Sequence, residues 1–453
     1  MSKKILITSF HPIISRNILQ TEIIKMLIED SCISSIVLLV PAGKEDFFNK
    51  NFGSEKVSVT SVRLNLPSRK LVGLLFKRVA RYLLPTETNL VQSDYKFYRD
   101  HRFCSHQVRR FLRFLGGFKI IRSIFRTMDF YFSPMGDFPL ILSRESPDLV
   151  FSTDVQNEND VALIKTAKKS GITVYSMLRS WDNLTVHGLV RIAPDKLLVG
   201  SEVLKEYAIK IHDLSENIIS VVGIPHYDKY RKPPAITKDE FFKQNGLDKS
   251  NPTIMYAPVG DRYILSNDID SSVIKILLDI DCNLIVRFPP MDSVELAIDK
   301  IRTKNTYFDY PGQSFEDQGV GGREIREEDD NRLFWEIFYS DIVICGPSSI
   351  ALDAVLHDKP VIMVDFYDPP RPEMERIICY KYDHLVDIIN TKGVYLAKTR
   401  DKFESQIATY LNDHSIDKEF REKIRNRQLK YIDGGSSERI AKLILEYLCL
   451  EKK

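Results

Sequence analysis

The run Asp341-Ile-Val-Ile-Cys345-Gly346-Pro347-Ser348-Ser349 passes from a short apolar strand through a tight turn into a helical pattern ending near His357. Such a turn brings unpaired backbone N–H groups and two hydroxyls to one point, an arrangement that suits a phosphate oxygen. The same serines also suit a plain helix cap, and the two uses are compatible. Two more strand ends carry arginines: Ala257-Pro258-Val259-Gly260-Asp261-Arg262 and Arg287-Phe288-Pro289-Pro290. A guanidinium there can meet a diphosphate with forked hydrogen bonds, or it can settle into an ion pair with a neighbouring acid.

The first half holds a different set. Thr8-Ser9-Phe10-His11-Pro12 follows the first strand, where His11 suits either a general base or a turn cap. Arg179 leads into Ser180-Trp181-Asp182-Asn183-Leu184-Thr185, with His187-Gly188 beyond. One aromatic among acids, amides and hydroxyls can stack and hydrogen-bond a sugar, and this exceeds what loop capping requires. Asp154-Val155-Gln156-Asn157 ends another strand on the same edge. No GxGxxG follows the first strand, and there is no GxxxxGK[ST], GxSxG or HExxH, so dinucleotide, P-loop, elbow-serine and zinc-protease chemistries are disfavoured.

These residues must be positioned by strands alternating with helices. β-Branched runs at 5–8, 35–40, 57–62, 149–152, 173–177 and 196–199 are separated by helical patterns near 15–29, 157–170 and 201–211. The alternation restarts after Ile218–Asp228 and the basic, proline-bearing 229–234. It runs through strands at 253–257, 283–288, 342–345 and 361–364, with helices near 270–279, 292–301 and 349–357, and ends in helices at 401–411, 417–428 and 435–448. That order implies an α/β fold of two doubly wound parallel sheets, whose ligands sit outside the carboxyl ends of the strands. The expected domains are 1–225, with a basic helical insertion at about 63–145, then 226–432, and a final helix at 433–453 crossing back to the first.

The composition of the 453 residues agrees: 43% apolar, 28% charged and a net charge of +2, which excludes a disordered, collagenous or disulfide-scaffold chain and advertises no nucleic-acid binder. Six widely spaced cysteines read as reduced thiols of a cytosolic protein. MSKKILITSF lacks the features of a signal peptide, and no apolar stretch reaches spanning length. Charge is unevenly spread, however. Residues 63–126 hold 15 Lys and Arg against three acids, a local balance of +12. Lys70–Leu84 and Gln107–Phe125 interleave these with Leu, Phe and Ile, as does a helix lying on an anionic bilayer; packing on a sheet with a solvated basic face is the equal alternative.

The second half resembles the nucleotide-binding domain of GT-B glycosyltransferases, in the branch of CDP-glycerol glycerophosphotransferases and UDP-N-acetylglucosamine 2-epimerases. Carrying the likeness are Ile254–Pro258 with Arg262, Val286–Pro290, Ser340–Ala354 with Lys359–Ile362, and Asp433–Ile440. Ser180–Gly188, Pro194–Lys196 and Val222–Asp228 resemble a signature of surface-polysaccharide proteins. Pro289 stands where that branch has a histidine, and Val259-Gly260 where it has Thr-Trp. The resemblance implies a GT-B fold with two domains facing a central cleft, and transfer of a sugar from a nucleotide-activated donor to a bacterial surface polysaccharide or lipid-linked glycan. It also implies that there is no metal and no cofactor beyond the donor. Gly346, Ser348, Ser349 and Arg262 would hold phosphate, Arg287 would assist, and Asp353 would meet a nucleoside hydroxyl. His11, Asp182 or Asp154 would deprotonate the acceptor, with Arg179, Trp181, Asn183 and Gly260 lining the substrate sites. The implied partners are the donor, the glycan acceptor and an anionic membrane surface met by 63–126, at the cytoplasmic face. The alternatives are a CDP-alditol-dependent phosphotransferase, a nucleotide-sugar 2-epimerase, and a non-enzymatic membrane-surface scaffold.

Overall fold

The computed structural model describes residues 2–294, 296, 305–315 and 322–450. Thirteen strands are seen among them: β1 Lys3–Thr8, β2 Ile33–Pro41, β3 Val57–Val62, β4 Leu149–Ser152, β5 Thr173–Met177, β6 Lys196–Val199, β7 Ile219–Val221, β8 Thr253–Ala257, β9 Asn283–Arg287, β10 Thr306–Asp309, β11 Ile342–Cys345, β12 Val361–Val364 and β13 Tyr395–Ala397. They form two wholly parallel sheets, ordered β3-β2-β1-β4-β5-β6-β7 and β10-β9-β8-β11-β12-β13. In each sheet the strand order reverses beside the first strand, between β1 and β4 and between β8 and β11. A ligand crevice opens at such a reversal. The fold is α/β as expected, and most strand bounds lie within two residues of the sequence reading. Only part of the helix expected near 292–301 lies within the described residues.

The strands form because β-branched and apolar residues fill both faces of a covered sheet. β4, β8, β9, β11 and β12 are buried at every position. Helices Glu158–Lys169 and Glu202–Lys210 cover the first sheet, each capped by the side chain preceding it, Asn157 and Ser201. Six helices between β3 and β4, Leu66–Arg69, Leu71–Tyr82, Glu87–Asp100, Phe103–Gly116, Lys119–Phe132 and Phe138–Glu145, make up the basic insertion. A small core of Phe76, Ala80, Leu83, Leu84 and Phe125 closes on Leu189 of the loop before β6.

Two compact units emerge, one made of 1–231 with 430–453 and the other of 232–429. The chain leaves the first unit after Arg231 rather than at 225. The reason is the short helix Pro225–Arg231, whose His226, Tyr227 and Tyr230 are buried. Its Asp228 also accepts the first amides of helix Ser436–Leu445, from Ser436 (3.0 Å) and Ser437 (2.7 Å). A carboxylate at a helix N-terminus satisfies orphan donors and meets the positive end of the dipole.

The expectation of six reduced thiols is corrected. Cys32, in the turn before β2, is disulfide-bonded to Cys449 in the closing helical turn, while Cys104, Cys282, Cys345 and Cys379 are free. The two partners lie 417 residues apart, so only the return of the last helix onto helix Glu22–Glu29 brings them together. Asp30 stands beside them, at the amino edge of the sheet and away from the strand ends that carry chemistry.

Replacing the Asp228 carboxylate removes the cap of the closing helix. Asp228→Ala is expected to cost about 1–2 kcal/mol in urea unfolding, with faster amide exchange in 436–445 than elsewhere in that unit.

Candidate functional site

In the second unit the site is built at the ends of β8 and β11. Val259 and Gly260 continue past β8, and their amides donate to the two oxygens of Asp270 at 2.8 and 3.2 Å. Asn267 Nδ2 donates to the same carboxylate at 2.7 Å, and the buried Tyr256 hydroxyl donates to it from within the strand. Burial pushes Asp270 up, opposed by those four donors, which favour the charged form. Gly260 has φ +87°, where an L side chain is strained. Gly346 is pressed against the same turn: a Cβ there would lie 2.8 Å from Val259 Cα. The glycine therefore lets the β11 turn approach the β8 turn backbone to backbone.

Beyond Gly346, the Ser348 hydroxyl accepts the Ile350 amide at 3.3 Å, whereas Ser349, at the N-cap of helix Ile350–Leu356, makes no side-chain capping bond. Arg262 is 59% exposed and lies over the Tyr263 ring at 4.9 Å, with its own backbone N–H on Asp292. Gly260, Arg262, Gly346, Ser348 and Ser349 thus converge on one edge of one sheet.

Two expected donor residues do not join them. Arg287 is buried, with Nη1 2.6 Å from Asp309 and 2.8 Å from Glu336 and Nη2 on the Asp329 carbonyl. It locks β9 to β10 and to helix Glu327–Tyr339, so the assignment to phosphate is corrected. Asp353 is fully buried on the inner side of helix Ile350–Leu356, which corrects its presentation to a nucleoside hydroxyl.

In the first unit the corresponding edge carries a hydrogen-bonded network. Thr8 and Ser152 donate to Asp160 at 2.7 and 2.8 Å, and the Thr153 amide donates to Thr8 Oγ1, joining β1 to β4. Burial, then the neighbouring Asp154 charge, pushes Asp160 up to about 8. Asp154 accepts the amides of Val155 and Gln156 and the Asn183 amide on Oδ1, while Oδ2 receives Arg179 Nη1 at 2.6 Å. With both oxygens so committed, Asp154 positions Arg179 rather than acting as a free base. Asn183 is fully buried, its Oδ1 on the Ser180 amide and its Nδ2 shared with Gln156; it builds the loop and does not line a pocket. His11 Nδ1 accepts the Ile13 amide at 3.3 Å, which is the turn-capping use.

Arg179 Nη2 also donates to His187 Nε2 at 3.0 Å, so Nε2 is the accepting nitrogen of that ring, because arginine only donates. Asp182 Oδ2 lies 3.9 Å from the same nitrogen, with Trp181 and Asp182 both half-buried. Sequence reasoning passed over Asp160 and Asp270, and gave His187 no role of its own. The first two lie in the first turn of a helix after a strand, a signal open to both a cap and a switch-point ligand.

Replacing the two second-unit arginines should separate structure from site. Arg287→Ala leaves Glu336 buried without its cation and Asp309 with Arg332 alone, and is expected to cost about 3–5 kcal/mol in urea unfolding. Arg262→Ala should stay within about 0.5 kcal/mol.

The model of the family described as "CDP-Glycerol:Poly(glycerophosphate) glycerophosphotransferase" matches residues 189–446. No curated protein matches the chain in sequence. Among solved structures, the chain is similar to a putative UDP-N-acetylglucosamine 2-epimerase from Listeria monocytogenes (10% identity, TM-score 0.59, 100% of this chain and 98% of that one). It is also similar to UDP-GlcNAc 2-epimerase from Neisseria meningitidis bound to UDP-GlcNAc (12%, 0.56, 98% and 100%) and to the wall teichoic acid polymerase TagF (12%, 0.52, 99% and 90%). At these identities the likeness is one of fold, two parallel-sheet α/β domains of the GT-B type that the resemblance implied. With more than half its length matched by the family model, the chain belongs to the CDP-glycerol:poly(glycerophosphate) glycerophosphotransferase family, transferases of the glycosyltransferase type.

Proposed function

We propose that this protein transfers a sugar from a nucleotide-activated donor to a growing surface polysaccharide or lipid-linked glycan, holding the donor's phosphates at the β8/β11 edge of the second unit. The observation that carries the reading is the backbone contact of Gly346 with Val259. It sets the 346–349 turn beside the turn that leads to the exposed Arg262, and amides with a cation would stabilise a leaving phosphate there without a resident metal. In the first unit Asp182 is assigned the acceptor proton, with Trp181 flanking it. Arg179, oriented by Asp154, binds acceptor oxygens. His11, tied to its turn through Nδ1, is the second choice of base.

The family match over 189–446 favours a second donor class, a CDP-alditol, whose alditol phosphate would be transferred instead of a sugar. The donor distinguishes the two. Thermal midpoints with CMP, CDP, UDP and GDP, followed by turnover with the matching activated donors, identify the class, since a ligand that binds the native state raises its midpoint. Ser348→Ala with Ser349→Ala is expected to weaken nucleotide affinity about tenfold or more while costing only about 1 kcal/mol of stability. Normal nucleotide affinity in that double variant would reduce the motif to a cap. Release of an epimerised nucleotide sugar without any acceptor would favour the epimerase alternative, and a chain that binds no nucleotide would favour the scaffold.

The acceptor is proposed to sit on an anionic membrane surface. No described helix is long and apolar enough to cross a membrane. The insertion nevertheless exposes Phe111, Phe114 and Phe118 on one helix and its following turn, and Ile120, Ile124 and Met128 on the next. The spacing places each set along one stripe. Lys77, Arg78, Arg110 and Lys119 are exposed among them. Arg109 and Arg122 are not part of this surface. Arg109 is buried against Ser93 and Ser105, and Arg122 makes a forked pair with Asp213. An apolar stripe rimmed with cations fits the interface of an anionic bilayer, each cation contributing about 1 kcal/mol within a Debye length. Binding to phosphatidylglycerol vesicles should weaken with salt and fall in Lys77→Glu/Arg78→Glu/Arg110→Glu. Indifference to such vesicles at low salt would make the insertion a packed structural element and the acceptor a soluble one.

A further inference from the structure

Helix Lys119–Phe132 of the insertion is turned inside out. Ile120, Ile124 and Met128 stand at four-residue spacing and are exposed, and the exposed Tyr131 continues their line. The opposite side carries Arg122 and Asp129, both buried, and the half-buried Arg126. A helix on a globular protein in water turns its apolar stripe to the core. Here the polar side is the inward one, and the apolar stripe is left to a partner other than water. Helix Phe103–Gly116 repeats the pattern, with Arg109 buried while Phe111 and Phe114 are exposed.

The inward side is a ladder of three charged residues that grips two segments of the same unit. Arg122 makes its fork with Asp213 at 2.6 and 2.8 Å. Arg126 donates from Nε to the Val190 carbonyl at 2.9 Å and from Nη2 to the His212 carbonyl. Asp129 receives Arg191 in a second fork, Nη2 at 3.0 Å and Nε on the other oxygen. Residues 190–191 and 212–213 in turn frame the 184–190 segment. The buried His212 accepts the Val190 amide on Nδ1 at 3.0 Å and donates from Nε2 to the Leu184 carbonyl at 2.8 Å, so one ring closes both ends of it. Burial pushes that imidazole down to about 3, which keeps it neutral and both bonds in place. Helix Leu71–Tyr82 adds the Ala80 carbonyl, which accepts the Leu189 amide at 2.9 Å. Gly188 lies so near this helix that a Cβ there would stand 2.7 Å from Arg81 Cα. His187, and Asp182 just before the segment, thus stand on a loop that the insertion holds in shape.

We infer that helix Lys119–Phe132 is a relay from a membrane surface to the acceptor loop: when its outward stripe enters an anionic bilayer, the ladder on its inward side orders residues 184–191, with Arg126 as the positioning residue. The inference rests on the membrane and acceptor-loop readings and adds to them the dependence of one on the other. Charge complementarity selects the bilayer as occupant, since Lys77, Arg78, Arg110 and Lys119 are exposed among the apolar side chains. A rigid helix that meets one partner on each face couples the two, because restraint of its position is felt on both sides.

Hydrogen exchange of the full chain with and without phosphatidylglycerol vesicles, alongside vesicle sedimentation, tests this. On the vesicles the amides of His187, Leu189 and Val190 should exchange about fivefold or more slowly, and uncharged phosphatidylcholine vesicles should leave them unchanged. Arg126→Gln, which alters the inward side alone, should still sediment with the vesicles yet lose that slowing. Arg126→Lys, which restores the cation, should recover part of it. Should the Gln variant fail to fold by circular dichroism, the Lys variant decides, with slowing smaller than in the wild type. Vesicle binding that slows exchange only in 103–132, or slowing that survives undiminished in the Arg126 variants, overturns the relay while leaving the membrane reading intact. A wild type that ignores the vesicles overturns both.

Discussion

At the carboxyl edge of a parallel sheet the chain must leave the ladder, and the amides just past the strand need acceptors that the sheet no longer supplies. A buried aspartate in the first turn of a crossover helix meets that need directly in the second unit and, in the first, through a threonine hydroxyl. Asp270, second in helix Ile269–Leu278, takes the Val259 and Gly260 amides together with the Tyr256 hydroxyl. Asp160, third in helix Glu158–Lys169, takes Thr8 and Ser152, and through Thr8 it orders Thr153. The helix dipole favours a carboxylate there, while burial opposes its charge. In the second unit this grip sets the path of the β8 turn, against which Gly346 lies.

Arginines do two kinds of work in this chain, and exposure separates them. Arg287 with Asp309 and Glu336, Arg191 with Asp129 and Glu158, and Arg122 with Asp213 are buried clusters that lock elements together. Removing one partner from such a cluster leaves the others uncompensated, which makes them structural by consequence. Arg262 and the exposed cations of the insertion reach solvent instead. The positive balance of 63–126 is accordingly divided between arginines buried in packing and cations exposed on the surface.

Most strands of both sheets were legible because each is a short β-branched run bounded by turn residues, and the two parallel sheets followed from their alternation with helices. Two edge strands escaped notice. Thr306–Asp309 mixes polar and aromatic residues, and Tyr395–Ala397 has only three positions, so neither carries the apolar run of a covered strand. Glycine and serine at 346–349 were readable as a turn because their types are constrained by backbone geometry. Arg287 was misread because a strand-end position does not tell which way the side chain turns; its acids lie 22 and 49 residues onward. Asn183 and Asp154 had the right chemistry for a site, yet their atoms are consumed by each other and by Arg179. The Cys32–Cys449 pair left no trace in spacing, because only the return of the closing helix creates it.

The account stands on donor phosphate being held by the β8 and β11 turns of the second unit. Hydrogen exchange of the full chain, with and without saturating CDP or UDP, reads that placement amide by amide. Slowed exchange concentrated in 258–262 and 346–350, with the 154–156 and 180–187 loops of the first unit unchanged by nucleotide alone, is the predicted result. Protection confined to the first-unit loops, or saturation without any change at those two turns, would contradict it.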